Sequence, residues 1–280
     1  MSEFSLQADG ALISGEESSE PGGGGGQTIV LLHGLTATRR YVVMGSRALE
    51  RSGMRVIAYD ARGHGRSSPA REREYGYEHL GADLGALLDH AGVERALLAG
   101  ASMGAHAAVR YALEHPERVA ALALITPAYD PARHAASGFE HWDALARGLR
   151  EDGVEGFVRA YDLASVPERW RSTLETVLRQ RLGAHEHPDA VADALEVVPR
   201  SQPFEEMGAL AAIAAPTVIV ASRDEADPEH PLAVGELYAR TIPGARLVVE
   251  SEEDPPRSPI AWQGGQLSRV LLELAESLRT

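Results

Sequence analysis

Apolar runs and helical periods alternate along this chain. Residues 28–32, Thr-Ile-Val-Leu-Leu, form a continuous apolar run without a polar face, the pattern of a strand buried on both sides. Residues 55–59, 96–99, 119–125, 216–221 and 246–250 repeat it. Between these runs the spacing turns helical, predicting helices over residues 41–52, 77–91, 103–115 (stopped by Pro116), 231–241 and 259–278. Residues 4–14 alternate around Asp9-Gly10 and predict an edge β-hairpin. Residues 15–27 are a loop, and no Lys or helix-opening Ser/Thr makes its glycine run at 22–26 a phosphate cradle. Strands alternating with helices predict an α/β fold, a mostly parallel twisted sheet with helices on both faces. Ligands bind at the carboxyl ends of such strands, where His33, Asp60 and Ser102 stand.

One segment breaks the alternation. Residues 129–209 carry helical periods only, rich in Arg and Glu, and predict a helical cap inserted between the core parts 1–128 and 210–280. The cap holds Phe139, Trp142, Phe157, Tyr161 and Trp170, a large share of the few aromatics. They either form the cap's own core or face the site and make an apolar pocket.

Composition narrows the chemistry. Asp and Glu number 41 against 27 Lys and Arg, a net charge of −14, which argues against nucleic acid or an anionic membrane as partner. Residues 1–20 hold acidic side chains and no apolar core of signal length, and no apolar run reaches a membrane span. The expectation is a soluble, cytoplasmic chain. Cys, Lys and Asn are absent, so Cys nucleophiles, disulfides, Ser–Lys pairs, Schiff bases and thiolate metal sites are excluded. His185 and His187 stand two apart, a spacing that does not share a helix face, so no metal site is expected there. No cofactor is called for.

The segment Leu97 to His106 runs an apolar strand through Gly100-Ala101-Ser102-Met103-Gly104 into a helix. A Gly-x-Ser-x-Gly turn holds its serine in a strained conformation, exposes the hydroxyl and requires glycine two residues to either side. It also leaves the Met103 amide at a helix N-terminus, where an oxyanion would be stabilised. The order of His33-Gly34, then Asp60-Ala61-Arg62-Gly63-His64-Gly65-Arg66-Ser67, then the serine turn, helical cap and acidic loop resembles the α/β-hydrolase fold superfamily, in its capped esterase, lipase and peroxidase-like branch. The resemblance spans the chain from Thr28 onward. It implies that Ser102 is the nucleophile, that Leu35 and Met103 supply oxyanion-hole amides, and that 60–67 is a structural loop. It also implies acyl chemistry, since Ser102 stands where dehalogenases and epoxide hydrolases carry Asp.

The resemblance places the acid after the strand ending at Ala221, where Asp224 and Asp227 both stand; the register to Ile242-Pro243-Gly244-Ala245 prefers Asp227. It also calls for a histidine after the last strand, and none follows His230. His230, beside the acid loop, is the first alternative base, although its plainer reading is a surface histidine at a helix start. His134 and His141 in the cap are further alternatives, while His33, His64 and His106 read as structural. The sequence therefore points to a serine hydrolase of a small carboxylic ester or related acyl substrate. The alternative is a hydrolase-fold protein of weak or no activity that binds a small apolar ligand under its cap.

Overall fold

The computed structural model describes residues 1–18, 27–136, 138–223, 230–250, 262 and 264–279. Eight strands form one sheet: β1 (Ser2–Ala8), β2 (Ala11–Glu17), β3 (Thr28–Leu32), β4 (Arg55–Tyr59), β5 (Ala96–Ala101), β6 (Val119–Ile125), β7 (Thr217–Ala221) and β8 (Arg246–Val249). Their order is β1-β2-β4-β3-β5-β6-β7-β8. The hairpin β1–β2 pairs antiparallel, β2 pairs antiparallel with β4, and every pair from β4 to β8 is parallel.

The continuous apolar runs are explained by burial on both faces. Along β3, Val30 and Leu32 join the core layer that contains the helices α2 (Tyr77–His90), α3 (Met103–Glu114) and α8 (Leu232–Thr241). Ile29 and Leu31 point the opposite way, into the layer shared with α1 (Ala48–Arg51) and α9 (Gly264–Ser277). Between β6 and β7 the described residues hold α4 (Pro131–Ala136), α5 (Glu140–Ala160), α6 (Glu168–Leu182), α7 (Pro188–Val197) and two 3₁₀ turns after it, with no strand. Helices α5 to α7 enclose a separate apolar core in which Leu174, Leu178 and Leu182, four residues apart, form the inward stripe of α6. No helix among the described residues is long and apolar enough to cross a membrane.

Two predicted helices need correction. The period over 41–52 yields only a 3₁₀ turn, Arg39–Tyr41, and the single turn α1, because Met44 and Gly45 adopt left-handed conformations at φ 47° and 74° and interrupt the spiral. The last helix begins at Gly264; residues 259–261 and 263 lie outside the described residues.

Candidate active site

Ser102 sits between β5 and α3 with φ 50° and ψ −112°, a conformation rarely adopted by residues with a side chain. Both glycines of the turn are required by backbone contact. A Cβ on Gly100 would lie 2.2 Å from the Gly104 carbonyl oxygen, and one on Gly104 would lie 2.2 Å from that of Leu32. The Ser102 amide donates to Ile125 O at 2.9 Å, tying the turn to β6.

His230, just ahead of α8, places its Nε2 2.7 Å from Ser102 Oγ. The two residues are 128 positions apart, and the sheet joins them: β5 and β7 flank β6, so their carboxyl ends open onto one area. The half-buried His230 is thus not a surface histidine, which corrects the plainer reading of this residue. Asp224 and Asp227 lie outside the described residues.

Ser102 and His230 border a cavity of about 330 Å³ roofed by α4 to α6, which Leu35 and Met103 also line. Met103 is the first residue of α3, where amides have no carbonyl one turn earlier to bond. Four of the five aromatics singled out between residues 129 and 209, Phe139, Trp142, Phe157 and Tyr161, face this cavity. Phe157, Trp142 and Tyr161 also pack into the apolar core of α5 to α7, so the same rings serve both purposes; Trp170 packs against that core and does not line the cavity.

The other histidines are engaged elsewhere. His134 donates its Nε2–H to Pro199 O at 2.9 Å, and His141 packs edge-on against Trp142 and Tyr161; both line the cavity. His33 donates from Nδ1 to Gly34 O at 2.8 Å and accepts the Ala61 amide on Nε2 at 2.9 Å, bracing β3 against the loop after β4. Burial holds its pKa down to about 3. His64 is also buried and shifted down, and donates to Arg62 O. His185 accepts the Gly65 amide at 2.8 Å and donates to Thr36 O at 3.0 Å, fastening the α6–α7 connection to the loops after β3 and β4. Among the described residues no group of three or more His, Asp or Glu is disposed to hold a metal ion.

Asp60 is buried and accepts the Arg39 amide at 2.8 Å, the Arg39 guanidinium and the Arg66 amide at 3.1 Å. Its loop is a brace for the strand ends. Sequence reasoning missed the polar groups on the cavity wall, among them Tyr77, Arg133 and Arg181. Tyr77 occupies an ordinary position in an amphipathic helix, and nothing in its spacing announces a cavity.

A family model described as alpha/beta hydrolase fold matches residues 27–252. The 2-hydroxy-6-oxononadienedioate/2-hydroxy-6-oxononatrienedioate hydrolase 2 of Pseudomonas putida is 33% identical over 233 residues, covering 80% of this chain and 79% of that protein. A protein of Variovorax paradoxus, assigned provisionally as the carbamate hydrolase RutD, is 30% identical over 206 residues, covering 73% of this chain and 76% of its own. Among solved structures, a thermophilic esterase from Thermogutta terrifontis superposes over the full length of both chains with a TM-score of 0.78 at 23% identity, a likeness of fold.

Proposed function

The chain belongs to the α/β-hydrolase fold family, and from that premise we propose that it is a serine hydrolase acting on a small carboxylic ester or related acyl substrate. The observation that carries this reading is the 2.7 Å contact between His230 Nε2 and Ser102 Oγ. It is the imidazole whose absence would have favoured a ligand binder without activity.

Ser102 Oγ attacks the acyl carbon as His230 Nε2 takes its proton. The Leu35 and Met103 amides hold the resulting oxyanion. Collapse expels the alcohol, which receives the proton from His230; water, deprotonated by the same ring, then attacks the acyl carbon, and the acid leaves as His230 returns that proton to Ser102 Oγ. The role of the acid that orients the base falls by resemblance to Asp227, with Asp224 as the alternative. Acid and base then share one short connection after β7, an economy that dispenses with a histidine after β8. The relatives named for hydrolysing carbamate and an oxo-dienedioate are consistent with small acyl substrates, as is a cavity with apolar cap walls.

Fluorophosphonate labelling and p-nitrophenyl acetate turnover test the reading. The wild type labels rapidly, Ser102→Ala does not label, and His230→Ala loses about 10²- to 10⁴-fold in kcat. Wild-type protein that neither labels nor turns over rejects the hydrolase; full activity in His230→Ala moves the base elsewhere.

A further inference from the structure

The hydrogen bonds around His106 leave one hydroxyl on the cavity wall with an uncommitted hydrogen. His106 lies one turn beyond Ser102, buried, with its pKa held down to about 3 chiefly by burial, so the ring is neutral. Its Nε2 faces two donors, the amides of Ala128 at 3.0 Å and Tyr129 at 3.1 Å. An N–H there would meet two N–H groups head-on, so Nε2 is the acceptor and the ring proton sits on Nδ1. Nδ1 lies 3.0 Å from Tyr77 Oη, and the ring therefore donates to the phenol. The hydrogen of the Tyr77 hydroxyl is left to point elsewhere.

Two neighbouring tyrosines show the ordinary arrangement. Tyr129 donates to Phe204 O at 3.2 Å and Tyr238 to Tyr129 O at 2.9 Å. Tyr77 Oη has no acceptor among the described residues besides the nitrogen already committed as donor. Tyr77 is 4% exposed and lines the same cavity as Ser102. A buried hydroxyl without an acceptor is costly, and a ligand oxygen entering the cavity would satisfy it.

We propose that Tyr77 is a specificity-determining residue that donates its hydroxyl hydrogen to a second oxygen of the acyl substrate, a carbonyl or ether oxygen apart from the group that Ser102 attacks. His106 is the positioning residue that turns the hydroxyl toward the ligand. The inference rests on the serine-hydrolase reading and narrows it from plain alkyl esters to oxygen-bearing ones. A site built to donate to such an oxygen discriminates against the analogue that lacks it, because the donor is then buried unpaired.

The test uses two matched pairs of p-nitrophenyl esters, methoxyacetate with butanoate and 4-oxopentanoate with pentanoate. For each pair the ratio of kcat/KM values is compared between wild type, Tyr77→Phe and His106→Leu, so that intrinsic reactivity cancels. In at least one pair the ratio falls about 5- to 10-fold in Tyr77→Phe, and it falls in the same pair in His106→Leu. Ratios unchanged in both pairs overturn the proposal. So does failure of Tyr77→Phe to fold, since the hydroxyl would then belong to the fold's own hydrogen bonds. If the wild type turns over none of the four esters, the hydrolase reading fails separately. Dissociation constants of the same esters, measured with Ser102→Ala and Ser102→Ala/Tyr77→Phe, then decide the tyrosine by the same ratios.

Discussion

Gly104 bears one of the tightest constraints on the site. A methyl group there would meet Leu32 O at 2.2 Å and His33 O at 2.8 Å, both backbone atoms of the segment that carries Leu35. Neither can yield without pulling β3 away from β5. Gly104→Ala is therefore expected to destabilise the protein by about 3 kcal/mol or more, beyond the usual gain in helix propensity from alanine. Urea denaturation reads this as a lowered midpoint with unchanged slope, whereas an unchanged midpoint would mean that the turn is looser than its contacts indicate. The same constraint made Ser102 legible in the sequence, because strain and close approach admit only glycine at two fixed positions. His230 was less legible. Its pairing with Ser102 depends on the lateral order of β5, β6 and β7, which a linear pattern does not encode, and the resemblance directed attention to a position after β8. Tyr77 carried no signal, since its role follows from a tautomer fixed by two amides distant in sequence.

Elements are held in place by a few buried polar ties. Arg62, in the loop after β4, makes a two-pronged contact with Asp83 of α2, Nε to Oδ2 and Nη2 to Oδ1, both at 2.8 Å and both side chains 1% exposed. The guanidinium also donates to Glu74 O at 2.8 Å and Asp9 O at 2.9 Å, so one side chain joins the β1–β2 turn, the loop and the helix. Burial pushes the Asp83 carboxyl up while Arg62 pulls it back, the balance of a desolvated pair. Asp83→Ala leaves the guanidinium buried without its counter-charge and costs about 3–5 kcal/mol; replacing both partners by Arg62→Met and Asp83→Leu costs less. Comparing unfolding free energies of the single and double variants checks this. Equal losses would show that the carbonyl contacts of Arg62, rather than the ion pair, hold the elements. The strands were readable because burial on both faces writes a continuous apolar run. The helix predicted over 41–52 failed because two left-handed residues outweighed a short amphipathic period.

The molecule as a whole responds to acid through its buried imidazoles. His33, His64, His106 and His185 all have lowered pKa values with burial as the first cause, and for His33 and His106 the value is about 3. An unfolded chain takes up protons on these rings near pH 6.5, whereas the folded chain resists until far lower pH. The stability they confer is therefore complete above about pH 6.5 and is lost as the pH falls from there toward about 3, at up to about 1.4 kcal/mol per pH unit for each ring. An opposing effect exists, because acidification reduces the net charge of −14 and its self-repulsion. That charge is spread over the surface and screened within about 8 Å at physiological salt, so the buried rings dominate. Urea unfolding at constant ionic strength is expected to give a plateau above pH 7 and a steep decline by pH 5. His185→Gln removes one titrating ring that ties the α6–α7 connection to the loops after β3 and β4, so its decline is shallower by about one ring's share even though it starts from a lower plateau. A flat profile between pH 7 and pH 5 would mean that the folded protein takes up these protons at no cost, and the neutral tautomers assigned to His33 and His106 would fall with it.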